Sequence, residues 1–170
     1  MSYTVERLNE DHIYDWFDCG HGNALGNWLI KWGRKYEERH QSAIWVMCEQ
    51  GSTEVLGYFC LSSQVIDSKA LPRVMREGIS TAASHPGQLL GKFAVAQSLH
   101  GTSASYILMH EVFKVYRDIA GMTGTRFLIL QAPEEKVRSF YESFDFVLID
   151  SDRGDMVIST QAVLNSLRES

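Results

Sequence analysis

Two runs of β-branched and aromatic residues, A-I-W-V-M-C-E at Ala43–Glu49 and E-V-L-G-Y-F-C-L-S at Glu54–Ser62, are separated only by Gln50, Gly51, Ser52 and Thr53. Such residues fit a pleated, half-buried surface, and a short polar turn containing glycine reads as the bend of a hairpin. Other strand-like runs alternate with helical patterns along the chain. Tyr3–Leu8, Gln88–Gln97 and Thr125–Gln131 read as strands, and Phe146–Asp150 and Met156–Thr160 as a closing hairpin through Ser151–Asp155. Asn23–His40 spaces Leu25, Trp28, Leu29, Trp32 and Tyr36 as one apolar helical stripe, with Lys31, Arg34, Lys35 and Arg39 over the other positions. A second helix is predicted from about Thr102 to Ala120 on Leu108, Val112, Val115, Tyr116 and Ile119, ended by Gly121 and Gly124. Glu134–Phe144 follows Pro133 as a third, and Asn9 with Asp11 is expected to cap a short helix through Phe17. The order predicts an α/β fold on a mixed, mostly antiparallel sheet of six to seven strands flanked by helices.

With 170 residues the chain is expected to form a single domain over 1–170, long enough to build a full core without staples. Cys19, Cys48 and Cys60 are odd in number and widely spaced, so Cys48 and Cys60 read as core thiols rather than disulfide partners. The six histidines fall at no ligand spacing, and no metal site is expected. The first ten residues carry charges where a secretory signal would be apolar, and no run approaches a membrane span, so a cytoplasmic protein is expected. The net charge of -5 excludes a globally basic nucleic-acid binder. The charge is unevenly spread, however. Trp28–His40 holds four basic residues against two acidic, and Lys69–Lys92 four against one.

Gln88–Gln97 runs through S-L-H-G-T-S-A-S into a helix. A strand, a turn of small residues and a helix N-terminus suit a phosphate, because first-turn N–H groups lack internal partners and the helix dipole favours an anion. The same residues equally suit simple capping by Gly101, Thr102 and Ser103. Neither G-x-x-x-x-G-K-[ST] nor G-x-G-x-x-G is present, which speaks against nucleoside triphosphates and dinucleotides. Tyr141, near the end of the third helix, is either a packing residue or a proton donor.

Five motifs stand in order along nearly the whole chain: F-D-C-G at Phe17–Gly20, L-G-N-W-L at Leu25–Leu29, G-Y-F-C-L-S at Gly57–Ser62, L-G-K-F-A-V at Leu90–Val95 and S-F-Y-E-S-F-D-F at Ser139–Phe146. Together they resemble the GNAT superfamily of acetyl-coenzyme A-dependent N-acetyltransferases, and within it the toxin branch of bacterial type II toxin–antitoxin modules. The resemblance implies that the backbone of Phe93, Ala94 and Val95 bonds the pantetheine arm. It implies a pyrophosphate loop at His100, Gly101, Thr102, Ser103, Ala104 and Ser105, in which Gly101 alone keeps the family's glycine pattern and Ser103 replaces its central glycine. Tyr141 matches the family's tyrosine, which protonates the departing coenzyme A thiolate, and Asp145 replaces the glycine that follows it.

Relatives of the toxin type acetylate the amino acid of an aminoacyl-tRNA. The resemblance therefore implies acetyl-coenzyme A as co-substrate, a ribbon–helix–helix antitoxin as partner, and a homodimer. Lys31, Arg34, Lys35, Arg39, Arg73, Arg76 and Lys92 are the candidate RNA-binding residues, provided the two basic segments share a groove. Acetylation of a small-molecule or protein amine, and a catalytically weak GNAT-like binding protein, are the alternatives.

Overall fold

The computed structural model describes residues 1–78 and 81–169. Seven strands form one mixed sheet: β1 Tyr3–Arg7, β2 Ala43–Glu49, β3 Val55–Asp67, β4 Ser84–Val95, β5 Phe127–Gln131, β6 Val147–Asp150 and β7 Asp155–Ser159, hydrogen-bonded in the order β1-β2-β3-β4-β5-β7-β6. Among the described residues four α-helices accompany them: α1 Ala24–Glu38, α2 Ala104–Met122, α3 Glu135–Glu142 and α4 Thr160–Glu169. The expected α/β fold with a mixed, mostly antiparallel sheet is the one found. The chain divides into two compact units, Met1–Ser62 with Gly91–Val112, and Ser63–Leu90 with Phe113–Ser170.

In the first unit the predicted hairpin forms, Trp45 opposite Phe59 and Val46 opposite Tyr58, and β1 adds antiparallel to β2. Alternation along β2 puts Ile44, Val46 and Cys48 on one face, where they pack with Tyr58, Cys60 and Leu29 of α1. Tyr58 is the anchor of this core. Its ring stacks on Trp28 at 6.3 Å and meets Phe17 edge-on at 5.7 Å, and its hydroxyl donates to the carbonyl of Leu25 at 2.7 Å. Burial of a tyrosine is favourable only when the O–H is satisfied, and here that bond ties the first turn of α1 to the sheet. Cys48 and Cys60 are core thiols as expected, their pKa values pushed up to about 11 and about 12, chiefly by burial.

Two features of this unit depart from the sequence reading. Residues 9–17 form turns instead of a short helix, with Ile13 in an isolated bridge to Glu54. The Asn9 side chain accepts from its neighbour Asp11 N at 2.9 Å and Asn9 N donates to His12 Nδ1 at 3.0 Å, so the polar side chains close local turns in competition with a helix. Trp32, expected on the apolar stripe of α1, is 39% exposed, while Gly26, Leu29 and Gly33 take the buried positions.

In the second unit β5 lies between β4, parallel, and β7, antiparallel, with β6 outside β7. Phe127, Ile129 and Val157 form a core with Ile66 and Leu71. The connection from β3 to β4 is shorter than the sequence suggests, because β3 continues to Asp67 and β4 starts at Ser84; 3-10 turns at Ser68–Ala70 and Arg73–Arg76 lie between them. The fourth helix, α4, lies outside the helices expected from the sequence. Its start is nonetheless signalled by Ser159, whose Oγ accepts from Ala162 N at 3.2 Å, and by Val163, Leu164 and Leu167 at helical spacing. Among the described residues no helix is long and apolar enough to cross a membrane.

Candidate active site

The strand that positions the first half of the candidate site is β4. Its parallel ladder with β5 pairs Gly87, Gln88 and Leu89 with Phe127, Leu128 and Ile129, and β4 then continues through Leu90 to Val95. Gly87 lets the two strands pair here, since a Cβ at this position would stand 2.5 Å from the carbonyl oxygen of Phe127. Phe93, Ala94 and Val95 are the last residues of β4, with Ala94 and Val95 buried. Beyond them Ala96 N donates to Leu56 O at 2.7 Å and Gln97 N to Asp18 O at 2.8 Å.

A 3-10 turn at Gln97–Leu99 carries the chain into the predicted loop. His100, Gly101, Thr102 and Ser103 are exposed, Ala104 is buried and Ser105 half-buried, and α2 begins at Ala104. Gly101 has φ +80° with open space where a side chain would project, a conformation that glycine adopts without steric cost. Thr102 Oγ1 donates to Leu99 O at 2.6 Å and accepts from Ala104 N at 3.2 Å. The threonine thus caps the loop. An exposed loop leading into the N-terminus of a nineteen-residue helix is also a geometry that suits a diphosphate.

Beside this loop the F-D-C-G segment takes an unusual path. Gly20, His21, Gly22 and Asn23 have φ of 83°, 48°, 76° and 54°, four successive residues in the left-handed region. Two glycines and an asparagine, the residues that enter this region most readily, account for three of the four. The Asn23 amide closes the loop: Oδ1 accepts from Cys19 N at 2.8 Å and Nδ2 donates to Phe17 O at 2.8 Å. A pocket of about 260 Å³ nearby is lined by Trp16, Phe17, Asp18, Glu54, Leu56 and Gln97, among others.

In the second unit Tyr141 occupies the last turn of α3. Its ring meets Phe140 and Phe146 edge-on at 5.2 and 5.9 Å, and burial pushes its pKa up to about 12, so the phenol keeps its proton throughout the physiological range. Arg138, one turn earlier and buried, anchors the helix: Nε donates to Ala132 O at 2.9 Å, and Nη2 to Pro133 O and Ser151 O at 3.2 and 3.1 Å. Asp145, at the glycine of the family pattern, has φ +72°. The turn after α3 therefore requires the conformation that glycine would supply.

The candidate RNA-binding residues are spread over both units. On α1, the ammonium groups of Lys31 and Lys35 each lie 5.3 Å from the Trp32 ring centre, and Lys92 of β4 lies 5.3 Å over Trp28. Arg39 is exposed at the C-terminus of α1. Arg34 is engaged, its Nε donating to the Tyr14 hydroxyl at 2.5 Å and its Nη2 to Glu10 O at 3.4 Å. Arg73 and Arg76 sit on the second unit's 3-10 turn, Arg73 exposed and Arg76 half-buried with a buried Nε.

A buried polar chain escaped the sequence reading. Ser68 Oγ donates to Ala82 O and accepts from His85 Nε2 at 2.7 Å, and His85 Nδ1 accepts from Arg126 Nη1 at 3.1 Å. Burial, and then the nearby Arg126 and Arg76, hold His85 below its ordinary pKa and hence neutral. Arg126 also donates to Met75 O and Glu77 O at 3.1 and 2.9 Å, fixing the end of the Arg73–Arg76 turn. No sequence spacing signals this chain, since its members lie far apart. Among the described residues no group of three or more His, Cys, Asp or Glu could hold a metal ion.

No protein-family model matches the chain. Solved structures do match it end to end. AtaT complexed with acetyl-methionyl-tRNAfMet superposes with a TM-score of 0.87 at 23% identity, covering 98% of this chain and 99% of that one. A tyrosine-to-phenylalanine variant of KacT gives 0.88 at 21% identity, with 98% and 99% covered. A tyrosine-to-phenylalanine variant of the AtaT toxin, bound to the C-terminus of the antitoxin AtaR and acetyl-CoA, gives 0.80 at 22% identity with 99% of each chain covered. The fold of this chain is therefore the fold of these structures.

Proposed function

We propose that residues 1–170 act as one N-acetyltransferase domain that transfers the acetyl group of acetyl-coenzyme A to the amino acid of an aminoacyl-tRNA. The carrying observation is the end-to-end fold match to a toxin solved with acetyl-methionyl-tRNAfMet and, in another structure, with acetyl-CoA. The residues of the chain fit that co-substrate. β4 offers an extended backbone through Phe93, Ala94 and Val95 beyond its β5 ladder, and the loop His100–Ser105 offers an open glycine and a helix N-terminus for the diphosphate.

In the reaction the uncharged amine attacks the thioester carbonyl, the N–C bond forms, the C–S bond breaks, and the departing thiolate takes the proton of Tyr141. Polarisation of the carbonyl by backbone N–H of β4 stabilises the charge that develops on oxygen. An aminoacyl ester amine is substantially neutral near pH 7 to 8, so water suffices to accept its proton. Burial raises the Tyr141 pKa, so the phenol is protonated when the cycle begins, and the tyrosinate left by the transfer is basic enough to regain a proton from solvent.

In this reading Lys31, Arg34, Lys35, Arg39, Arg73, Arg76 and Lys92 contact RNA, the chain works in the cytoplasm as a homodimer, and a ribbon–helix–helix antitoxin restrains it. A neighbour solved with the C-terminus of its antitoxin supports restraint by a partner protein. The test is transfer of labelled acetyl groups to charged tRNA, deacylated tRNA and a polyamine panel. Labelling of charged tRNA alone is expected; labelling confined to polyamines would overturn the acceptor, and no labelling at all the enzyme.

A further inference from the structure

Along α1, Trp28, Lys31, Trp32 and Lys35 fall at i, i+3, i+4 and i+7, and so share one face. The two tryptophans on it differ in kind. Trp28 is a packing residue, stacked on Tyr58 and meeting Tyr36 edge-on at 5.1 Å. Trp32 is 39% exposed on the surface, and two ammonium groups stand 5.3 Å from its ring centre. A large aromatic plane framed by two flexible cations is the combination by which proteins hold unpaired nucleotides: a base stacks on the ring, and the phosphates on either side pair with the cations.

We propose that Trp32 is a stacking platform for an unpaired base of RNA, with Lys31 and Lys35 holding the flanking phosphates. This rests on the reading that the acceptor amine is carried by RNA, and it gives that reading a single-stranded contact. Charge complementarity selects the occupant. The lysines would attract any polyanion, but a base has a flat face to match the ring, whereas an acidic peptide offers carboxylates alone. Each lysine leaves the ring as the base arrives and remains at its rim, so the cation–π contacts of the free protein become phosphate contacts of the complex.

The test measures binding of the full chain to a short single-stranded oligoribonucleotide, to the same sequence as a duplex, and to polyglutamate. Trp32→Leu removes the aromatic plane while keeping an apolar side chain and is expected to weaken single-strand binding about 5- to 150-fold, the range for loss of one stacked base. Trp32→Phe keeps a plane and is expected to retain most of the affinity. Lys31→Gln with Lys35→Gln is expected to reduce the salt slope for the single strand by about 1.4, as for two lost phosphate contacts. Equal binding by the leucine and phenylalanine variants overturns the platform. So does an equal loss on single strand and duplex, or a loss on polyglutamate as large as that on RNA, which would assign the face to an acidic protein segment. Acetyl transfer to charged tRNA is followed in parallel. A parent protein that binds RNA through Trp32 without transferring acetyl groups would overturn the enzymatic reading and leave the platform standing; transfer that persists when Trp32→Leu binds RNA normally would do the reverse.

Discussion

Tyr141 and Asp145 lie four residues apart and pull in different directions. The phenol is held protonated by burial among Phe140 and Phe146, as a donor to a leaving thiolate requires. Tyr141→Phe keeps the ring contacts and removes only the hydroxyl. It is expected to leave acetyl-coenzyme A affinity near that of the parent and to slow transfer by about two to four orders of magnitude. Single-turnover transfer beside a direct binding measurement separates the two effects, and equal rates would remove Tyr141 from the mechanism. Asp145 instead carries a conformational cost, since φ of +72° is disfavoured for a residue with a Cβ. Asp145→Gly is expected to stabilise the protein by about 1 kcal/mol, a rise of about 2–4 °C in Tm for a chain of this size. A melting temperature that stays the same or falls would show that the aspartate makes good its own strain.

At the scale of elements, the loop that feeds α1 shows how few side chains can hold an improbable backbone. Four consecutive left-handed residues cannot persist on propensity alone, and the Asn23 amide supplies the closure by bonding Cys19 N and Phe17 O across the loop. Asn23→Ala removes both bonds and the residue type that tolerates φ of 54°. The expected cost is about 2–3 kcal/mol, read as a shift in the urea midpoint at constant slope. A midpoint within a tenth of the parent's value would transfer the closing role to the glycines. In β4 the ladder with β5 runs over Gly87–Leu89, and the strand continues beyond it through L-G-K-F-A-V.

For the whole molecule, buried titratable groups set the pH range of stability. His85 has a lowered pKa, so the unfolded chain binds the additional proton, and stability is expected to fall as pH drops below about 6.5. Cys48, Cys60, Tyr58, Tyr116 and Tyr141 have raised pKa values, chiefly through burial, so the unfolded chain loses these protons first. Their contribution is complete below the unfolded values and declines as pH rises past about 8.5 for the thiols and about 10 for the phenols. Urea midpoints measured from pH 5 to 11 should therefore trace a plateau between roughly 6.5 and 8.5 with a fall on both sides; a midpoint still rising at pH 10 would contradict this burial pattern. The net charge of -5 gains a location at this scale as well. The first unit bears Lys31, Lys35, Arg39 and Lys92, and the second bears Arg73 and Arg76.

Periodicity and motif order determined the sheet, three helices and the positions of Tyr141 and the His100–Ser105 loop, because these depend on residues near one another in sequence. Ser159 also signalled α4 locally, although the strand pattern ending at Thr160 concealed it. The roles of individual side chains were decided by the tertiary structure. Trp32 and Trp28 have equal claims on an apolar stripe, and only the packing of Tyr58 shows which is core and which is surface. Arg34 is exposed on the basic side of the helix, and only the fold shows that its guanidinium also bonds the Tyr14 hydroxyl and the Glu10 carbonyl. Ser68, His85 and Arg126 form a chain only because folding brings together residues whose separation in sequence carries no spacing signal. Local chemistry determines what each segment can become; which polar or aromatic group is consumed internally and which remains for a ligand depends on partners that only the fold supplies.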